Sequence, residues 1–114
     1  MAIILEKSLY KRVEIMGRNL VMKEVIFRVS SISNVKKLAG SIAHTVKGDG
    51  ETVAANVVLN CCGASAVSQA VKAVAVARGF LASNGRDLVV RPGFDTAFIE
   101  GEERTVIKLF ISLN

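Results

Sequence analysis

The chain has 114 residues, 51% of them apolar and 22% charged, with one Pro and no Trp. That is one domain with one core, too apolar for a disordered tail and without the roughly 18 to 20 consecutive apolar residues of a membrane span. Fifteen Lys and Arg against ten Asp and Glu leave a net charge of +5, which favours anionic partners, with plain solubility as the competing explanation.

Residues 1–21 read as an N-terminal extension. Lys7, Lys11, Arg12 and Arg18 are interspersed with apolar residues, and Leu9, Val13, Met16 and Leu20 fit one helical stripe. The spacing predicts a short basic amphipathic helix. A misassigned start, with translation beginning at Met22, is the alternative. The opening apolar run is too short for a signal peptide, so the expected location is cytoplasmic.

A domain over residues 22–114 follows. Val25, Phe27 and Val29 alternate with Glu24, Ile26 and Arg28, which predicts a strand. Ser30 to Asn34 is rich in capping residues, and Val35, Leu38, Ala39, Ile42 and Val46 then recur at helical spacing. Gly48-Asp49-Gly50 closes that helix. Thr52 to Cys62 is apolar on both faces, as suits a central strand covered from both sides. A second helix is expected from about Ala66 to Arg78, with Gly79 at its end. Arg86 to Arg91 alternates as a strand, Pro92-Gly93 interrupts it at an edge or bulge, and Ala97 to Glu100 with Arg104 to Leu113 reads as a hairpin. Phe27, Phe80 and Phe110 are expected in the core. The fold expected is α/β: a two-layer sandwich in the order β-α-β-α-β-β, with two helices on one face of a four-stranded mixed sheet.

The chemistry-bearing residues are few. Cys61 and Cys62 are adjacent, which disfavours an ordinary disulfide, and with His44 as the lone His they make no structural zinc site. No metal and no cofactor is expected. The chain shows no phosphate loop, no dinucleotide fingerprint and no pattern of nucleophile and base, so an enzyme is not expected.

Two features point to binding instead. The second helix is small and apolar almost all round, which calls for cover on both sides; a second copy is the simplest cover, with Val67, Val71, Val74 and Arg78 as the interface. Lys36 and Lys37 occupy the first turn of the first helix, where the helix dipole disfavours cations unless an anion sits there. Ser31, Ser33 and Asn34 could add hydrogen bonds to phosphate oxygens. The turn at Gly63 and Ser65 opens the second helix, and Gln69 and Lys72 continue a polar stripe from it. Arg86 and Arg91 extend the positive charge, whereas Glu100, Glu102 and Glu103 make the hairpin tip acidic.

Ser68 to Phe80, with its run of Ala and Val closed by Arg78-Gly79-Phe80, resembles the signature helix of the stage V sporulation protein S family. Gly101-Glu102-Glu103-Arg104-Thr105-Val106-Ile107-Lys108-Leu109 resembles that family's closing hairpin, and Met22 to Ser30 its first strand. The resemblance implies an Alba-like fold, a homodimer or a higher oligomer, nucleic acid (DNA or RNA) as partner, and a regulatory role in sporulation or development. Contact would be with the backbone rather than with particular bases. The alternative is a protein-interaction or assembly module whose apolar second helix is the working surface.

Overall fold

The structure is a computed structural model that describes residues 4–15, 17–48 and 55–114, with side chains for residues 23–48 and 56–114. Seven elements follow one another: β1 (Ile4–Ile15), β2 (Arg18–Val29), α1 (Val35–Lys47), β3 (Ala55–Cys61), α2 (Ala64–Ala82), β4 (Leu88–Ile99) and β5 (Glu102–Leu113). From β2 onward this is the expected β-α-β-α-β-β order. The mixed sheet β2-β3-β5-β4 has β2 parallel to β3 and the remaining pairs antiparallel, and β1 joins it as a fifth strand beside β2.

That fifth strand corrects the reading of the N-terminal extension as a helix. Leu9 and Val13 are four apart, and four is an even number, so the pair shares a face in a strand as readily as in a helix. The discriminating signal is Gly17, whose φ of 75° belongs to the left-handed region, at a point where Ile15 pairs with Arg18 across a hairpin. β2 therefore begins at Arg18 and runs through position 22.

The first helix forms where the pattern places it. The side-chain Oδ1 of Asn34 accepts a hydrogen bond from the Lys37 N–H at 2.9 Å, and Gly48, with φ of 79°, ends the helix. Leu38, Ala39, Ile42, Ala43 and Val46 are its buried stripe. Burying Leu38 and Ile42 contributes roughly 1.5–3 kcal/mol each. Their partners on the sheet are the odd-numbered residues of β2 and β3: Val25, Phe27, Val29, Val57, Leu59 and Cys61. The central position of β3 explains its apolar run, since Val57, Val58 and Leu59 are all buried. Residues 52–54, expected in the same strand, lie outside the described residues.

α2 is longer than the sequence suggests. It starts at Ala64, continues through Gly79 and ends in a turn whose left-handed residue is Gly85, with φ of 71°. The Gly85 N–H donates to the Ala82 carbonyl at 3.0 Å and the Arg86 N–H to the Leu81 carbonyl at 3.2 Å, which is a Schellman arrangement. Gly79 has no such role. Ala66, Ala70, Ala73 and Ala77 are fully buried, and their small side chains let α2 pack closely on α1 and the sheet.

Pro92-Gly93 does not interrupt its strand either. β4 is a continuous edge strand of twelve residues in unbroken register with β5, and an edge is where a residue without an N–H is tolerated. Phe27 is buried as expected. Phe80 and Phe110, expected in the core, are exposed instead: Phe80 lies near the end of α2, and Phe110 points to the sheet face opposite the helices.

Candidate nucleic-acid interface

β2 and β3 are parallel neighbours, and each is followed by a helix. Their carboxyl ends therefore deliver the amino ends of α1 and α2 to the same end of the molecule, the end at which open α/β sheets take ligands. A direct bond ties the two together: the Gln69 side-chain Nε2 donates to the Ser33 carbonyl at 2.9 Å. This bond spans 36 positions of sequence. The two amino ends read separately from the sequence thus form one surface.

Within that surface the sequence-derived residues divide into two groups. Some build the site. Ser33 is buried, its Oγ accepting the Ser30 N–H at 2.9 Å, while its own N–H donates to the Ser30 carbonyl at 3.2 Å. The Asn34 side chain caps α1, and Gln69 fixes the loop before it. The others face outward. Ser31, Lys36, Lys37, Gly63, Ser65 and Lys72 are all exposed. Among the described residues none of the three lysines makes an ion pair.

The charge distribution around them is one-sided. Residues 25–48 and 52–86 contain no Asp or Glu at all. Both helices and the loops that precede them therefore present only positive charge. This signal is available in the sequence and is stronger than the net charge, because it assigns the excess to one layer. Among the described residues Arg78 is the cation of that layer with an acidic partner: its guanidinium holds Asp87 through hydrogen bonds of 2.6 and 3.2 Å. The Asp87 carboxyl is held below the ordinary carboxylate range by Arg78 first and by the Leu88 N–H second. Two acids of the β4–β5 hairpin sit against its own cations, Asp95 on Lys108 at 2.7 Å and Glu102 near Arg104 at 3.5 Å.

The interface residues read from α2 also separate. Arg78, the last residue of the stripe of Val67, Val71, Val74 and Arg78, reaches Asp87 just before β4. Val74 is buried in the chain's own core, Val67 is half-buried, and Val71 is 55% exposed. Sequence reasoning missed a second exposed apolar stripe, on β4. Val90 lies opposite the buried Ile111 and Phe94 opposite Ile107, which packs against the core, so both project from the helix side of the sheet. Phe94 is 82% exposed and Phe98, four residues on, 77%. The even spacing of Val90, Phe94 and Phe98 is the signal that could have found them.

Cys61 is buried, and burial pushes its thiol up to about 11. Such a thiol is a packing group at neutral pH. No helix among the described residues is long and apolar enough to cross a membrane. Compared with known protein families, residues 25–114 match the family model described as Stage V sporulation protein S. The match takes in everything from the middle of β2 to the last residue.

Proposed function

The chain belongs to the stage V sporulation protein S family, and on that footing we propose that it is a small dimeric regulatory protein that binds nucleic acid, DNA or RNA, in the cytoplasm. A sporulation-related role goes with the family. The protein acts by binding, not by catalysis.

The observation that carries the reading is the acid-free helix layer, with Lys36 and Lys37 in the first turn of α1 and Lys72 on α2 making no ion pair among the described residues. A polyanion relieves the repulsion among these cations and accepts hydrogen bonds from the free N–H groups. Lysine is a flexible point charge and reads no base pattern by itself, so contact is with phosphates. The second half of the reading, a homodimer, is supported by the exposed Val71, Val90 and Phe94. These apolar side chains gain most from a second copy that brings the same surface to them.

The test is a fluorescence-anisotropy titration of labelled duplex DNA, single-stranded DNA and RNA over a salt series. Affinity that falls steeply as salt rises is the expected result. Absent or salt-insensitive binding would favour the other reading, an assembly module that works through Val71 and Phe94 alone.

A further inference from the structure

The loop between β2 and α1 carries an isoleucine that the phosphate-binding reading leaves unexplained. Ile32 is 61% exposed, although Val35, three residues on, packs against the core. The turn that presents it is held from several directions. The Ser30 N–H donates to Ser33 Oγ at 2.9 Å, the Ser33 N–H to the Ser30 carbonyl at 3.2 Å, and Gln69 of α2 to the Ser33 carbonyl at 2.9 Å. The Ile32 N–H itself lies 3.4 Å from Ser30 Oγ. A turn braced in this way keeps the side chain outward.

We infer that Ile32 is an apolar wedge that enters a groove or an unstacked step of the bound nucleic acid, between backbone contacts made by Lys36 and Lys37. The inference deepens the nucleic-acid reading and rests on it. Charge selects the occupant. The other exposed residues of this segment are Ser30, Ser31, Asn34, Lys36 and Lys37, and no acid lies between residues 25 and 48. An apolar side chain on an acid-free segment that carries two cations suits a polyanion with apolar faces inside a charged outer shell, which describes base pairs within their phosphates. An apolar partner protein would have to leave both ammonium groups beside its surface without counter-charge. A wedge of this kind reads no donor–acceptor code, so it is compatible with binding that ignores sequence.

The test uses duplexes containing 2-aminopurine, whose fluorescence rises on unstacking, together with anisotropy titrations over salt. Wild type, Ile32→Ser and Lys36→Ala/Lys37→Ala are compared; Ile32 is exposed, so its replacement leaves the fold intact, which a thermal melt verifies. Ile32→Ser is expected to lose the 2-aminopurine rise and about five- to tenfold in affinity, the worth of covering about half an isoleucine, with the salt slope unchanged. Ile32→Phe should restore the rise. The lysine variant should instead flatten the slope. If Ile32→Ser matches wild type in affinity and fluorescence while the lysine variant loses binding, the wedge is refuted and the phosphate site stands. If wild type binds no nucleic acid, both fall.

Discussion

Two valines three positions apart on α2 separate the oligomer from the fold. Val71 is 55% exposed in the single chain, whereas Val74 is 6% exposed and belongs to the core. Covering the exposed half of Val71 is worth about 1 kcal/mol per protomer, half of what a fully buried valine contributes. Val71→Asp removes that and places a carboxylate in the interface, at a further cost of about 2 kcal/mol or more. A symmetric dimer contains the residue twice, so the loss is about 6 kcal/mol, more than four decades in dissociation constant. The folded single chain should notice little, within about 0.5 kcal/mol for a surface change. Val74→Asp differs in kind, because its carboxylate would be buried in the chain's own core. A cost above about 4 kcal/mol is a large share of the roughly 5–15 kcal/mol that holds a domain together. Sedimentation velocity over a concentration series, with a circular-dichroism melt of each variant, reads both effects. Val71→Asp should be a folded monomer and Val74→Asp largely unfolded. A wild-type chain that sediments as a monomer throughout, or a Val71→Asp variant as dimeric as wild type, would refute the covered-helix reasoning.

Iodoacetamide at pH 8 should label the half-buried Cys62 in the native protein and spare Cys61 until it unfolds; equal native rates would contradict the buried placement. The Cys61 thiol also carries a pH signature. Its folded value of about 11 lies above the 9.0 of an unburied thiol, so the unfolded chain loses the proton first and stability should fall as pH rises from about 9 to 11. Denaturant titrations across that range check the sign. Two glycines should respond to alanine in opposite directions. Gly85→Ala forces a Cβ into a left-handed turn, φ of 71°, and should cost about 1 kcal/mol, whereas Gly79→Ala, inside α2 with open space around it, should gain up to about 1 kcal/mol. Thermal melts of the two variants decide this.

How far the sequence can be read depends on whether a signal is local. α1 is legible to its ends, because Leu38, Ile42 and Val46 keep one period and Asn34 and Gly48 mark the boundaries. α2 is legible as a helix but not at its end, since Gly79 and Gly85 both suit a stop and only the hydrogen bonds to Leu81 and Ala82 decide between them. β1 reads wrongly as a helix because an i, i+4 spacing serves strand and helix alike. Lys36 and Lys37 can be read from the first turn of α1. The duties of Ser33, Asn34 and Gln69 cannot, because a residue offering hydrogen bonds to a ligand looks the same in sequence as one bonding its own backbone. The Gln69–Ser33 bond, which joins the two amino ends, exists only once the helices have packed. Val74 shows the reverse limit: the sequence puts it on an apolar stripe, and tertiary packing alone decides that its own core covers it.

Contact of Lys36 and Lys37 with phosphate is read out by the salt dependence of binding. On duplex DNA, every phosphate that the protein no longer neutralises lowers the steepness of log K against log salt by about 0.9. Lys36→Ala/Lys37→Ala should therefore bind with a slope shallower by about 1.8 for each protomer engaged. A double variant with the slope and affinity of wild type would contradict the account, because any nucleic acid bound would then rest on another part of the molecule.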